Sequence, residues 1–207
     1  PTCEFFPMQA TQTNVLGSRN VIDSAISHGV FKVVSLSTDK AVYPVNALGI
    51  SKALMEKMVE ASARNLGEGE TVLTLVRYGN VLFSRGSVIP LFMKQIKENN
   101  AISVTEPEMT RFLLPLKEAI DLVSFALEKG RQGDIFVRKA PSCLIGDLAQ
   151  AVKKIFRSNS EIKTIGMRHG EKMYETLASK GELLRSEDMG DYLRINIDDR
   201  DLNYNKY

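Results

Sequence analysis

Cysteine is nearly absent from these 207 residues: Cys3 and Cys143 lie far apart and match no metal-ligand spacing such as C-x-x-C, so a disulfide-stapled scaffold and a cysteine metal site are both excluded as expectations. Sparse cysteine use fits a reducing cytoplasmic setting. Charge of one sign is lacking too. The 27 basic and 25 acidic residues sum to +2 and are scattered, not blocked, which argues against nucleic acid or an anionic membrane as a partner. No run approaches the roughly eighteen apolar residues of a membrane span, and the first residues lack the basic-then-apolar order of a signal peptide. There is no internal repeat and no low-complexity stretch. What remains is a chain long enough for one to two domains at about 150 residues each. It begins at Pro1 and runs directly into Cys3-Glu4-Phe5-Phe6-Pro7, which reads like the middle of a domain, and a fragment is expected.

Apolar periodicity supplies the architecture. Val15, Leu16, Val21, Ile22, Ala25 and Ile26 fall at helical spacing within residues 8–28, and Gly29 stops the run. Phe31 to Leu36 (FKVVSL) reads as a strand buried on both faces of a parallel sheet. Residues 50–66 read as a helix with Leu54, Met55, Met58 and Val59 on one side, and Thr71 to Arg77 (TVLTLVR) as a second strand. Helix–strand alternation of this kind implies right-handed crossovers and a doubly wound α/β sheet. Further helices are expected at 88–98, 116–129 and 145–156, with strands at 102–104 and 135–137; Ser179 to Asp191 yields no assignment. The expected division is 1–83 as the C-terminal part of a Rossmann-like domain and 84–207 as mainly a smaller α/β substrate-binding domain, with 113–140 returning to the sheet.

Ligands of such sheets sit at the carboxyl ends of the strands. The residues there are Ser37-Thr38-Asp39-Lys40 after the first strand and Tyr78-Gly79-Asn80-Val81 after the second. A lone Asp-Lys pair is usually a solvated turn, and Lys52 near the start of a helix is by itself a surface charge. His28 and His169 read as structural, Cys3 as packing, and the Met55 face as core or subunit interface.

In combination the strings are more specific. S-T-D-K-A-V-Y-P-V-N-A-L-G-I-S-K-A-L-M-E-K (Ser37 to Lys57) resembles the extended short-chain dehydrogenase/reductases, and within them the inverting UDP-N-acetylglucosamine 4,6-dehydratases of bacterial capsule and O-antigen synthesis. Cys3 to Met8, R-Y-G-N-V (Arg77 to Val81), Ser84 to Phe92, M-T-R-F (Met109 to Phe112), R-H-G-E-K (Arg168 to Lys172) and R-D-L-N-Y (Arg200 to Tyr204) match in register. The resemblance implies a Rossmann-like fold, NAD(P) as cofactor with NADP favoured, a UDP-sugar substrate, and a homo-oligomer of two or more copies. It implies Lys40 as the base at sugar C5, Asp39 as the acid for the C6 hydroxyl and Lys52 as a ribose ligand. Ser37, Tyr78, Asn80 and Val81 would stand beside the cofactor; Asn80, Arg85, Ser87, Val88, Arg111, Arg168 and Glu171 would hold the substrate. Asp39 followed by lysine, where retaining relatives carry Asp-Glu, implies C5 inversion.

Two departures qualify the pattern. Family enzymes usually carry Tyr-x-x-x-Lys, but the position four before Lys52 is Leu48, so the acceptor of the 4-hydroxyl proton is open between Thr38, Tyr43 and Lys52, with Thr38 and Lys52 preferred. The missing tyrosine also argues against a 4-epimerase or reductase on the same scaffold. The phosphate-cradling G-x-G-x-x-G is absent as well, and on the family plan about 85 to 90 residues should precede Pro1. A noncatalytic nucleotide-sugar binding module is the reading from a different class.

Overall fold

The computed structural model describes residues 2–198. It opens with α1 (Thr2–Phe5) and a nearly continuous helical run of α2 (Pro7–Thr11), a π-helical turn over Gln12–Gly17, and α3 (Ser18–Ser27). There follow β1 (Lys32–Leu36), a 3₁₀ turn over Asp39–Ala41, α4 (Ala47–Arg64) and β2 (Val72–Arg77). The second half contains β3 (Asn80–Val81), α5 (Val88–Lys97), β4 (Ile102–Val104), β5 (Thr110–Leu114), α6 (Leu116–Lys129), β6 (Ile135–Arg138) and β7 (Ser142–Leu144). It ends with α7 (Ile145–Ile155), β8 (Ile162–Thr164), α8 (Lys180–Leu183), β9 (Ser186–Met189) and β10 (Tyr192–Ile195).

The main sheet has the order β1-β2-β6-β10-β9, with β1, β2 and β6 parallel and β10 and β9 antiparallel. Strand alternation distributes its side chains between two faces. Leu73, Leu75, Ile135 and Val137 face one way and pack with Ile22, Met55, Val59 and Ala63 of α3 and α4. Val76 and Phe136, the intervening positions, pack against Leu122 and Ala126 of α6. Helices thus cover both faces, as a doubly wound sheet requires. A second core joins Phe92, Ile102, Val104, Met109, Ala149 and Val152 from α5, β4, α7 and the segment before β5.

Two expectations are corrected here. β1 is only half-buried, with Leu36 exposed, because among the described residues it is an edge strand paired to β2 alone. The sheet is mixed because the unassigned stretch from Ser179 forms α8 and then a hairpin, whose two-residue turn starts at Gly190 with φ +77°. A glycine at that position takes the positive φ that a tight hairpin needs.

The same alternation that buries Leu73 and Leu75 turns Arg77 toward α4. There its guanidinium meets Glu56 at 2.8 and 2.6 Å and Glu182 of α8 at 3.0 and 2.8 Å. Burial alone would lower the Arg77 pKa, but the hydrogen bonds and charges of the two carboxylates raise it. Burial likewise would raise Glu182, yet bonds from Arg77 and from Ser179, which it caps in return, hold it at about 2. A depressed carboxyl pKa stabilises the fold above the unfolded value and loses that contribution as pH falls through the folded one. Glu182→Gln is therefore expected to cost about 2–3 kcal/mol near neutral pH. Urea unfolding of both proteins should show the difference shrinking as pH falls from about 4.5 toward 2.

Candidate active site

β1 delivers its carboxyl end beside that of β2: the Ser37 N–H donates to Val76 O at 2.8 Å and the Asp39 N–H to Tyr78 O at 3.2 Å. The Thr38 hydroxyl accepts from the Lys40 N–H at 3.4 Å and donates to Asp39 Oδ1 at 2.9 Å, closing the 3₁₀ turn. Asp39 is fully buried and its Oδ2 has no hydrogen-bond partner among the described residues. Gly79 lets the chain pass over it, since a Cβ there would fall 2.6 Å from Phe112 Cβ and 3.2 Å from Asp39 Oδ2. Lys40 Nζ lies 3.0 Å from Asp39 Oδ1.

α4 is set against this turn at its first residues. Asn46 caps it, accepting from the Gly49 N–H at 2.8 Å, and its amide donates to Gly170 O at 2.7 Å. Glu4 of α1 accepts from the Ala47 N–H. Gly49 rides directly over Lys40: a Cβ would sit 2.2 Å from the Lys40 carbonyl oxygen. One turn on, Lys52 Nζ donates to Leu36 O at 2.9 Å. Burial lowers the Lys52 pKa against the opposing charge of Glu56.

A cavity of about 710 Å³ opens between these segments and the second core. Lys40, Leu48, Asn80, Val81, Ser87, Val88, Arg111, Arg168 and Glu171 line it. Among the described residues Asn80 Oδ1 and Ser87 Oγ are buried without a partner, and Ser87 heads α5 without making a capping bond. Buried polar atoms in that condition call for a ligand or water. Arg111 spends its donors on Thr110 O at 2.7 Å and Lys172 O at 3.0 Å, and neither it nor Arg168 forms an ion pair among the described residues.

Other candidates lie off this wall. Ser37 is buried and donates to Glu56; Thr38 faces Asp39; Lys52 faces Leu36; Arg85 is exposed. Tyr78 is half-buried in the α6-side core, and burial raises its pKa. Tyr43 lines a separate groove, its hydroxyl accepting from the Lys180 N–H at 3.4 Å. Cys3 and His169 reach the cavity wall and His28 is exposed elsewhere. The Arg200 to Tyr204 string lies outside the described residues. Sequence reasoning missed Glu175, buried on the same wall, and Lys172 beside it, because only tertiary folding brings them to Lys40.

A doubly wound sheet with a cavity at its strand carboxyl ends defines a Rossmann-like α/β protein of the extended short-chain dehydrogenase/reductase type. Residues 1–197 match the model of the family described as polysaccharide biosynthesis protein, and the chain belongs to that family. A Rickettsia felis relative named UDP-glucose 4-epimerase is 58% identical across all of this chain, which spans 61% of that protein's length. The Rickettsia akari protein of the same name matches equally, at 58% over the same shares. Among solved structures, Pen from Bacillus thuringiensis superposes with a TM-score of 0.89 at 39% identity, over 94% of this chain and 62% of that one. At 21% identity and TM-score 0.77, covering 87% of this chain and 65% of that one, UDP-glucose 4-epimerase of Thermotoga maritima shares the fold.

These relatives overturn the 4,6-dehydratase assignment, and with it UDP-N-acetylglucosamine as substrate, the inversion at C5, and the C5-base and C6-acid roles given to Lys40 and Asp39. A shared scaffold does not separate the reaction classes that are built on it. Asp39-Lys40 with Leu48 in place of tyrosine argues against an epimerase on sequence alone, and the relatives of that name overturn the exclusion.

Gly49→Ala should force the Lys40 carbonyl aside, lowering stability by about 1–3 kcal/mol. Urea unfolding measures the loss, and amide shifts in the NMR spectrum should concentrate at residues 38–41.

Proposed function

We propose that the whole protein is a nucleotide-sugar 4-epimerase that interconverts UDP-glucose and UDP-galactose, with this chain supplying the pocket for the sugar and diphosphate. The observation that carries the reading is the 58% identity, over every residue of the chain, to relatives bearing that name. The cavity is consistent with it. Arg111 and Arg168, which have no carboxylate partner among the described residues, offer cations to a diphosphate, and Ser87 and the first N–H groups of α5 offer an anion seat. Asn80 and Glu171 offer a carbonyl and a carboxylate for sugar or ribose hydroxyls.

Hydride acceptance and return at sugar C4 is the chemistry that a bound nicotinamide dinucleotide supplies. Lys52 fits one end of such a cofactor: its ammonium lies at the carboxyl end of β1 with one backbone acceptor, leaving donors for ribose hydroxyls. The NADP preference is not carried forward, since sugar-nucleotide enzymes of the same fold from Streptomyces venezuelae and Thermus thermophilus are described with NAD.

Because Leu48 lines the cavity where a tyrosine would act, the 4-hydroxyl proton must go elsewhere. The Asp39 carboxylate would accept it through Lys40, whose ammonium passes a proton to Asp39 Oδ1 as it takes the one from the 4-hydroxyl, and the same relay run backward would return it to the 4-oxygen; hydride removal and return at C4 is what a bound nicotinamide would supply. Thr38, bonded to Asp39, steadies the carboxylate through both halves.

Supplying UDP-glucose and NAD to the whole protein should yield UDP-galactose of identical mass, resolved by chromatography and proton NMR. Lys40→Met should reduce kcat by about 10²- to 10⁴-fold with KM within a few-fold. No epimer, or a product lighter by one water, would overturn the assignment.

A further inference from the structure

Four charged side chains stand in an alternating row behind the cavity wall. Lys172 Nζ is 3.5 Å from Glu175 Oε2, Glu175 Oε1 is 3.7 Å from Lys40 Nζ, and Lys40 Nζ is 3.0 Å from Asp39 Oδ1. Lys172 is anchored by donating to Val42 O at 2.6 Å. The Glu175 and Asp39 side chains are 3% and 0% exposed, against 24% for Lys40.

Glu175 is the unexplained member. It lies in a loop, caps no helix, and its Oε2 has no hydrogen-bond partner among the described residues. A carboxylate this deeply buried is costly unless cations face it, and the two that do are Lys172 and Lys40. Lys172 is already bound to backbone. Lys40 instead reaches the cavity, held between Asp39 on its own turn and Glu175 across from it. The other charged or titratable groups on this wall are Cys3 and Glu4 from α1, Arg111 from β5, and Arg168, His169 and Glu171 from the loop before Lys172. Glu4 and Glu171 accept from the backbone N–H groups of Ala47 and Arg168, so neither replaces Glu175 at the Lys40 ammonium.

We infer that Glu175, braced by Lys172, is a positioning residue: it holds the Lys40 ammonium between two carboxylates at the cavity wall. The consequence for turnover rests on the epimerase reading, but the positioning itself is read on the protein without substrate or cofactor.

Lysine acetylation by acetic anhydride, resolved by peptide mass spectrometry, reports how freely each amine reacts, with exposed Lys117 as internal reference. In Glu175→Gln, Lys40 should acetylate at least about five-fold faster relative to Lys117 at pH 8, since the amine loses one of the two carboxylates that hold it. Glu175→Asp keeps the charge and should stay within about two-fold of the parent. Should Glu175→Gln not fold, the balanced Glu175→Gln/Lys172→Met pair removes one charge of each sign and should show the same acceleration. Lys40 reactivity within about two-fold of the parent in whichever Gln variant folds would overturn the inference. In the whole protein, Glu175→Gln should lower kcat more than it changes KM. Acceleration of Lys40 labelling without any epimerase activity would sink the proposed reaction and leave the positioning role standing, whereas activity with unchanged labelling would do the reverse.

Discussion

A guanidinium withdrawn from water persists only where its charge and its planar donors are met, and Arg77 is met by two carboxylates from two different elements. Glu56 sits one helical turn beyond Lys52 on α4, so the bond that holds Arg77 also fixes the rotation of that helix. With the phase of α4 fixed, Lys52 falls on Leu36 O and Leu48 on the cavity wall. Glu56 accepts in addition from Ser37, which ties down the first residue after β1, and Glu182 couples the same guanidinium to the capped start of α8. The turn carrying Asp39 and Lys40 is thereby held from three directions, and Gly49 admits it beneath α4 at a separation no side chain would permit. Site geometry in this chain follows from that buried ionic knot more than from any contact inside the cavity.

The reaction class was harder to read than the scaffold, for a chemical reason. One fold hosts several reactions, so the scaffold and the residue types at its strand ends do not by themselves name the chemistry. Asp39-Lys40 is compatible with proton removal at C5 and equally with proton shuttling at the 4-oxygen. The two differ in where the sugar ring lies, which no string of residues states. Leu48 narrows the choice of acid/base to groups that reach the same cavity, and the structure places Lys40 there while turning Tyr43 toward Lys180.

Legibility along the chain follows the length of its elements. The helix at 116–129 coincides with α6, and the strand at Thr71 to Arg77 differs from β2 by one residue, because both carry long periodic patterns. β3, β7 and β8 are two or three residues long, too short to express a period of two. β5 (TRFLL) keeps Arg111 and Leu113 facing the cavity, so it lacks the clean apolar alternation of a core strand. The π-helical turn at Gln12–Gly17 had no local signal; Asn14 within it donates to Ser51 of α4, a partner 37 residues away. Glu175 and Lys172 were hidden likewise, since their meaning depends on Lys40, more than 130 residues upstream.

The row of Lys172, Glu175, Lys40 and Asp39 sums to zero charge, and that neutrality shapes the rest of the cavity. A partly exposed ammonium paired on both sides presents a weak outward field, so the wall at Lys40 has little hold on phosphate. Arg111 and Arg168 have no carboxylate partner among the described residues, and their field is left for an anion. A nucleotide sugar is itself divided in this way, with its charge in the diphosphate and its reacting ring neutral. On the proposed reading, the polarity of such a ligand and that of the cavity would match in one direction, with the diphosphate at the arginines and the ring at Lys40. Without its second carboxylate, Lys40 would then compete with the arginines for phosphate.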